Sequence, residues 1–363
     1  MRLTPTSIQE LQALVRETSC LLPRAGGSKF ALSTRVDGIT AVDVSGISGV
    51  IEYEPGEFTI TTLAGTPISE VDSLLEDHGQ YLPFDPPLVE RGATLGGTVA
   101  AGLSGPGRYH YGGVRDFLLG VRYVDSAGNL VRGGGKVVKN AAGFDIPKLM
   151  VGSLGSLGVL VELTFKVLPR PEMCATLRLD FEALEDALQA QYKLFPSPMD
   201  IDALDLELSN TSPILWVRLA GFAAVLPARL VKLKELMGGG DVFKGTDEEL
   251  IWRRARDMEW VPEGWSLVKV PLTPGRILTL DGALVQTYGE QGVIRRYSCG
   301  GQLAWLALSG SLHLLDDLLN EQSLSGLVLF GRPGESRMGV SDGVSFYRRI
   351  KKALDPNNRF AEM

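Results

Sequence analysis

The chain has 363 residues, of which 44% are hydrophobic and 22% charged, and its formal net charge at pH 7 is −7. This composition is typical of a globular protein with two or three domains. The acidic balance argues against nucleic acid as a partner, because the chain offers no basic stripe that would neutralise phosphates.

The cysteines, Cys20, Cys174 and Cys299, lie far apart and form no CxxC pair. We therefore expect no zinc or iron–sulfur site, no metal and a reducing compartment. The N-terminus lacks the apolar core and cleavage site of a signal peptide. No run of residues approaches the roughly 18 apolar residues of a membrane span. These features predict a cytoplasmic chain, with any contact to the inner membrane made through partners.

Short helices and strands alternate through the first 170 residues. The first predicted helix covers Thr6–Val15, with Thr6 or Ser7 as its N-cap and Glu10 placed for a capping box. The following predicted elements are a strand and turn over residues 40–52, strand Phe58–Leu63, helix Pro67–His78, strand Gly120–Asp125 and strand Val159–Val167. The proline-rich residues 168–172 form the best candidate for a domain boundary.

Longer elements alternate after this hinge. The predicted strands are Ala175–Phe181, Ile201–Leu208, Ile214–Ala220, Asp241–Phe243, Ser266–Leu272, Val293–Ser298, Leu303–Leu308 and Gly326–Phe330. The predicted helices are Ala183–Phe195, Ala224–Met237, Asp247–Trp260, Gly275–Tyr288, Leu312–Asn320 and Ser345–Leu354. This order predicts an α+β domain whose sheet is covered by helices on one face.

Glycine is concentrated in one part of the chain. Residues 91–158 hold 17 of the 43 glycines, and 13 of these lie in the clusters Arg91–Arg108, Arg132–Asp145 and Gly152–Glu162. An ordered glycine costs about 0.5–1 kcal/mol but lets the backbone approach a partner closely and adopt positive φ. Either a large phosphate-bearing cofactor lies against these segments, or strands pack closely there.

Two common phosphate-binding motifs do not fit. A Walker A loop needs Ser or Thr after Gly-Lys, but the pair at 135–136 is followed by Val137. A dinucleotide-binding turn needs GxGxxG. Here the Gly-Pro-Gly of residues 105–107 is followed by His110 at the third glycine position, and residues 152–158 are spaced GxxGxxG. A doubly wound Rossmann domain is therefore not expected.

A different set of motifs fits in order and spacing. PRAGGS (23–28), a strand pair, GATLGGTVA (92–100) and GSLGSLGVL (152–160) resemble the FAD-binding domain of the vanillyl-alcohol oxidase family. PFDPP, GGVRDFLLGV and GGKVVKNAAGFD are further similar to the E subunits of bacterial glycolate oxidases. The resemblance implies an α+β fold: a two-subdomain FAD-binding domain over 1–170, an α+β cap domain with an antiparallel sheet over 171–330, and a returning C-terminal segment over 331–363.

The same resemblance implies which residues contact FAD. They are Pro23, Arg24, Ala25, Gly26, Gly27, Ser28, Pro87, Thr94, Gly96, Gly97, Thr98, Gly155, Gly158 and Val159. Physically, Gly26 and Gly27 can place consecutive N–H groups around a pyrophosphate, and Arg24 or Lys29 can add positive charge. We expect positive φ at Gly27 and Gly97, which a β-branched residue would not adopt. The cofactor is expected to be non-covalent, because the first loop contains no histidine.

Catalytic residues are not identified by the sequence. His78 is expected to cap a helix end and His313 to lie on the surface, which leaves His110 as the remaining histidine candidate for a base. Arg108 is a candidate carboxylate clamp, since guanidinium binds carboxylate in a bidentate manner. For both residues, simple exposure to solvent is the alternative.

Two departures from the family pattern bear on activity. Relatives that oxidise D-2-hydroxy acids carry a histidine-rich segment after the cap region, and this chain has none. Relatives also end in an Asn-Pro-Gly motif that closes over the flavin. That motif is absent after Asp355, where Asn357 or Asn358 is a weak substitute. FAD binding is therefore better supported than independent substrate oxidation.

Three hypotheses stay open. The chain is the FAD-binding subunit of a glycolate oxidase complex acting on a small 2-hydroxy acid, with a larger flavin subunit and an iron–sulfur subunit as partners. Alternatively, it is a self-sufficient flavin oxidoreductase, or a scaffold that binds no flavin. The basic run 347–352 is either a solvated helix face or a docking face for an acidic partner.

Overall fold

The structure is a computed structural model, and it describes residues 2–33, 38–135, 145–208, 212–332 and 336–362. Residues 136–144, which are most of the GGKVVKNAAGFD motif, lie outside these ranges. Among the described helices, none combines the length and the apolar character that crossing a bilayer would require.

The first part of the chain forms small sheets and short helices. Its strands are β1 (Arg2–Leu3), β2 (Leu21–Arg24), β3 (Thr40–Asp43), β4 (Val50–Glu54), β5 (Thr59–Leu63), β6 (Gln80–Tyr81), β7 (Leu118–Val124), β8 (Leu130–Gly134), β9 (Val159–Lys166) and β10 (Leu168–Pro169). Its helices are α1 (Ile8–Glu17), α2 (Phe30–Ser33), α3 (Ile68–Glu76), α4 (Leu95–Ala101), α5 (Arg108–Tyr111), α6 (Val114–Phe117) and α7 (Ile146–Met150), with a 3₁₀ turn at Pro55–Glu57.

Two of these sheets define subdomains. β1, β3 and β2 form a three-stranded parallel sheet, in which β3 is central. A five-stranded antiparallel sheet has the order β4-β5-β9-β7-β8. Helix α1 has the predicted capping interactions at its N-terminus. Ser7 is the N-cap, and its Oγ accepts from Glu10 N, while Thr6 N donates to Glu10 Oε2 at 2.7 Å.

The second part is built on one large sheet. Its strands are β11 (Met173–Asp180), β12 (Ala203–Leu208), β13 (Ile214–Gly221), β14 (Asp241–Lys244), β15 (Ser266–Pro271), β16 (Val293–Ser298), β17 (Leu303–Leu308), β18 (Ser325–Phe330) and β19 (Arg337–Gly339). Its helices are α8 (Leu184–Leu194), α9 (Leu226–Met237), α10 (Gly245–Arg256), α11 (Ile277–Tyr288), α12 (Leu312–Glu321) and α13 (Val344–Leu354), with 3₁₀ turns at Pro274–Arg276 and Glu290–Gly292.

The nine strands are antiparallel in the order β14-β11-β13-β12-β16-β17-β15-β18-β19. Period-2 alternation gives the sheet two different faces. In β15, Val268 and Val270 pack under the covering helices α8, α9, α11 and α12. Leu267, on the other face, joins the core of the first part of the chain. The predicted fold class, an antiparallel sheet covered by helices beside a two-subdomain α+β part, is confirmed.

The boundaries at residues 170 and 330 remain our proposal. β10 still pairs with β6 of the first part, and the large sheet begins at Met173. β19 belongs to the large sheet although it lies beyond residue 330. The chain then returns: Leu21 N donates to Arg359 O at 2.7 Å, and Ala361 N donates to Leu21 O at 2.8 Å.

An ion-pair cluster joins the two parts of the chain. Arg256, the last residue of α10, lies 3.8 Å from Asp72 of α3 and 3.6 Å from Asp85. Burial is the main cause that raises the pKa of Asp72 to about 6; Arg256 and Arg170 oppose this shift, whereas Asp85 and Asp257 add to it. Ionised Asp72 is therefore stabilised less in the folded protein than in the unfolded chain.

We expect Asp72→Asn to stabilise the protein at pH 8. A folded pKa above the unfolded value of 3.8 means that ionised Asp72 destabilises the fold fully above about pH 6 and not at all below about pH 4. At 1.36 kcal/mol per pKa unit the upper limit is roughly 3 kcal/mol, and we expect about 1–2 kcal/mol because the side chain is 26% exposed. Urea unfolding at pH 8 and at pH 4 measures the change in the free energy of unfolding, with Asp317→Asn as the exposed control. A gain that persists at pH 4 would contradict the proton-linked origin.

Candidate functional site

Most of the predicted FAD contacts line one cleft. The cleft is open to solvent, and the space between its walls, solvent included, is about 720 Å³. The loop after β2, the start of α4 and the loop before β9 form these walls. Of the predicted residues, the following line the cleft: Pro23, Arg24, Ala25, Gly26, Gly27, Ser28, Thr94, Gly96, Gly97, Gly155, Gly158 and Val159. Their contact with the cofactor itself remains a prediction.

Pro87 and Thr98 do not line this cleft. Pro87 is buried in its loop. Thr98 is fully buried inside α4, where its N–H donates to Thr94 O at 2.9 Å. Its Oγ1 has no hydrogen-bond partner among the described residues. Both residues are therefore buried and do not contribute to the surface of the cleft.

The loop after β2 has the chemistry of an anion cradle. Gly27 has φ +68°, as predicted, and within the described ranges the N–H groups of Gly26 and Gly27 have no hydrogen-bond partner. Arg24 Nε is buried, and it too lacks a partner in the described part of the chain. Gly26 is exposed and Gly27 half-buried, so their N–H groups are open to an incoming ligand, whereas an unpaired buried donor such as Arg24 Nε is costly unless a ligand satisfies it. This loop therefore fits a pyrophosphate.

Lys29 brings positive charge to the same wall. Its Nζ donates to Ser28 Oγ at 2.9 Å, and burial lowers the pKa of its ammonium group to about 8. An anion placed in the cleft would favour the charged form of Lys29 and would raise this pKa again. Sequence reasoning had treated Lys29 only as one of two alternative cations.

Our expectation for the backbone at Gly97 is wrong. Thr94 caps a helix, α4, and accepts from Gly97 N at 3.2 Å, so that Gly97 lies in the first helical turn without positive φ. A Cβ at Gly97 would lie 3.1 Å from Thr94 Oγ1 and 3.8 Å from Lys29 Nζ, both on the cleft wall. At Gly96, by contrast, a Cβ would lie 2.6 Å from Ala64 O. Gly96 therefore allows close packing, whereas Gly97 leaves room in the cleft.

The loop before β9 completes the cleft. Gly155 has φ +78°, and a Cβ there would lie 3.0 Å from Pro23 Cδ. A Cβ at Gly158 would lie 2.6 Å from Tyr123 Cδ2. These glycines hold the loop close to the PRAGGS segment and to β7, and so they shape the cleft.

A second, wider cleft adjoins the first. Ala101 and Leu154 line both clefts. The second cleft lies between α4 to α6, strands β15, β18 and β19, and α13. The basic residues on its walls are Arg108, Arg115, Lys269, Arg337 and Arg348, and the acidic ones are Asp116, Asp342 and Glu362. Its walls therefore favour an anionic ligand beside the cofactor cleft.

Lys269 is the residue that sequence reasoning missed. It interrupts the apolar strand β15, and its Nζ donates to Gly102 O, at the C-terminal end of α4, at 3.0 Å. Burial first, and repulsion by Arg108 second, lower the pKa of Lys269 to about 8. No described carboxylate forms an ion pair with it. A lone lysine in an apolar strand was the signal in the sequence, because a buried charge without a partner is expensive.

Arg108 and His110, the two candidate catalytic residues, have different surroundings. Both lie on the short helix α5, but only Arg108 lines the second cleft, with Nη1 beside Gly113. His110 Nδ1 lies 3.2 Å from Asp200 Oδ1 of the cap part and lines neither of the two clefts. The geometry thus favours Arg108 for ligand contact and places His110 beside Asp200 of the cap part.

The returning C-terminal segment is hydrogen-bonded to the loop before β9, which forms one wall of the first cleft. Lys351 of α13 is 4% exposed, and its Nζ donates to Ser156 O and Phe360 O, both at 2.7 Å, and to Asp355 at 2.5 Å. Ser156 lies in the loop that holds Gly155 and Gly158. The predicted basic face of residues 347–352 is therefore interrupted: Lys351 points into the protein.

The fold and the cleft define a FAD-binding protein of the vanillyl-alcohol oxidase type. A family profile described as a FAD binding domain matches residues 1–134. Alkyldihydroxyacetonephosphate synthase has a similar fold over 98% of this chain and 76% of its own, with a TM-score of 0.74 and 16% sequence identity. The chain is 36% identical over 302 residues to glycolate oxidase subunit GlcE of Escherichia coli (strain K12), a match that covers 82% of this chain and 79% of that subunit. The chain belongs to this family of flavoprotein oxidoreductase subunits.

More distant relatives share only part of the chain. D-lactate dehydrogenase of Anaerostipes hadrus is 28% identical over 205 residues, which is 55% of this chain and 43% of that enzyme. The similarity to such enzymes is consistent with FAD-dependent oxidation of 2-hydroxy acids as the chemistry of the family.

Proposed function

We propose that this chain is the FAD-binding subunit of a glycolate oxidase complex, in which glycolate is oxidised to glyoxylate together with a larger flavin subunit and an iron–sulfur subunit. The observation that supports it best is the pairing of two adjoining clefts, one suited to FAD and one whose walls carry five basic and three acidic side chains. When bound, FAD would supply the two-electron acceptor for the oxidation of glycolate to glyoxylate.

The chain's own residues would hold the cofactor at one cleft. Gly26 and Gly27 N–H groups, Arg24 and Lys29 suit its pyrophosphate. The loop at Gly155 and Gly158 forms the opposite wall. Non-covalent binding remains part of the proposal, since His110 lies outside this cleft.

Lys269 would bind the substrate carboxylate in the adjoining cleft. Its ammonium group needs an anionic partner, and Arg108 on the same wall can add a second contact. Ala101 and Leu154, which separate the two clefts, are apolar and would keep water away from the reacting carbon. Because the pKa of Lys269 is about 8, substrate binding should weaken above that pH as the lysine loses its charge.

We expect Lys269→Met to weaken glycolate binding by 10- to 100-fold, since a hydrogen bond to a charged group contributes about 1.5–3 kcal/mol. The measurement is a titration of the flavin absorbance of the FAD-loaded chain with glycolate. Lys269→Arg should retain part of the affinity, and Lys232→Met on the exposed face of α9 is the control. FAD content should be unchanged in all three variants. Equal glycolate affinity in wild type and Lys269→Met would contradict this role.

Turnover by the isolated chain tests the subunit assignment. Glycolate-dependent reduction of the dye dichlorophenolindophenol by the chain alone would favour a self-sufficient oxidoreductase. Glycolate binding without turnover, followed by turnover when the two partner subunits are added, is the result expected for a subunit. A purified chain without flavin would favour a scaffold.

A further inference from the structure

One face of helix α13 packs against the rest of the protein, and the opposite face is exposed to solvent. Tyr347, Ile350 and Leu354 pack against the core of the FAD-binding part, and Lys351 is buried with them. The opposite face shows Phe346, 62% exposed, together with the exposed residues Arg349 and Lys352. Helix α13 contains no acidic residue, although the whole chain carries a net charge of −7. We call Phe346, Arg349 and Lys352 the α13 face.

This helix is held in a fixed position relative to both clefts. Tyr347 and Arg348 line the second cleft, so α13 forms part of its rim. Lys351 connects the helix to Ser156, in the loop whose residues Gly155 and Gly158 line the FAD cleft. At the other end, Ser126 Oγ donates to Leu354 O at 3.0 Å. A partner bound to the α13 face would therefore keep a constant distance from the cofactor cleft.

We propose that the α13 face is the docking surface for an acidic partner, namely the iron–sulfur subunit; this rests on the proposed function. Charge complementarity carries the choice: a basic helix face on an acidic chain attracts an acidic surface and is disfavoured for a basic one. Phe346 supplies the aromatic anchor that interfaces favour, with the two cations beside it. Tyr347 and Arg348 of the same helix line the second cleft, which adjoins the cofactor cleft, and among the proposed partners this position suits the electron acceptor.

The test is co-expression of this chain, carrying an affinity tag, with the larger flavin subunit and the iron–sulfur subunit. The double variant R349E/K352E should retain the larger flavin subunit and lose at least 90% of the iron–sulfur subunit. The matched control, K232E/K234E, makes the same change of charge on the exposed face of α9 and should retain both subunits. With purified components, the double variant should raise the Kd for the iron–sulfur subunit at least tenfold, and F346A at least threefold. The salt dependence of Kd should become weaker in the double variant.

The possible outcomes separate the two proposals. If wild type and R349E/K352E bind the iron–sulfur subunit equally, the docking surface is wrong and the proposed function stands. If wild type retains neither partner, the proposed complex is wrong, and the docking surface with it. If R349E/K352E instead loses binding to vesicles containing phosphatidylglycerol but keeps the iron–sulfur subunit, the face binds a membrane and the proposal is overturned. FAD content and urea unfolding of each variant must match wild type, which excludes misfolding as the cause of any loss.

Discussion

Replacement of Gly97 by Val is expected to abolish FAD binding and to leave the fold intact. Gly97 lies in the first turn of α4 with an ordinary helical backbone, so that valine meets no conformational barrier there. Valine in a helix is at least as favourable as glycine. Its side chain would extend from a Cβ 3.8 Å from Lys29 Nζ, into the space that the cofactor needs. We expect at least a 100-fold loss of FAD affinity, with a change in melting temperature of only a few degrees.

The chain offers a matched control for this variant. Gly282 is an exposed glycine within helix α11, and a Cβ there meets no atom within 4 Å. Gly282→Val thus makes the same change of residue in a helix without a cleft, and it should bind FAD normally. Gly96→Val should fail differently, by loss of stability, because its Cβ would collide with Ala64 O at 2.6 Å. Flavin absorbance after purification and isothermal titration with FAD measure the effects. Stoichiometric FAD in Gly97→Val would show that the cofactor lies elsewhere.

The sequence predicted best those elements whose pattern is strong and local. β16 (Val293–Ser298) and β17 (Leu303–Leu308) match their predicted bounds, because glycine-containing turns flank both strands and β17 is continuously apolar. Helix α4 was missed, since its glycines have low helix propensity and their clustering suggested extended backbone. Its capping residue, Thr94, was the signal that could have identified it.

The structural features that could not be predicted from the sequence depend on contacts between distant segments. The order of strands in the nine-stranded sheet, and therefore the position of Lys269 opposite Gly102, arises from long-range pairing. The burial of Lys351 was partly predictable. Tyr347, Ile350 and Leu354 share one helical face with it at spacings of three and four residues. Its partners, however, come from the loop at Ser156 and from the final residues, and only the folded chain brings these together.

Removal of the Lys351 ammonium group is expected to detach the C-terminal segment from the FAD-binding part. Asp355 is 2% exposed; it accepts from Arg359 N at 2.8 Å and from Phe360 N at 2.9 Å, and Lys351 is its only ion-pair partner among the described residues. Lys351→Met would leave this carboxylate buried without a cation, and removal of one partner of a buried pair costs about 3–5 kcal/mol. We expect a loss of that size in the free energy of unfolding, measured by urea denaturation.

The double variant K351M/D355N separates the charge from the packing. If the cost of Lys351→Met comes from the unpaired carboxylate, neutralising Asp355 should recover at least half of the lost stability. Lys352→Met, at an exposed neighbouring position, should change the free energy of unfolding by no more than about 0.5 kcal/mol. Since Phe360 and Ala361 pair with Leu21, the first residue of the strand that leads into the PRAGGS loop, Lys351→Met should also weaken FAD binding. FAD would in turn restore part of the variant's stability, because a ligand that binds only the folded state stabilises it. A Lys351→Met protein with wild-type stability and FAD affinity would mean that the C-terminal segment is held by its apolar contacts alone.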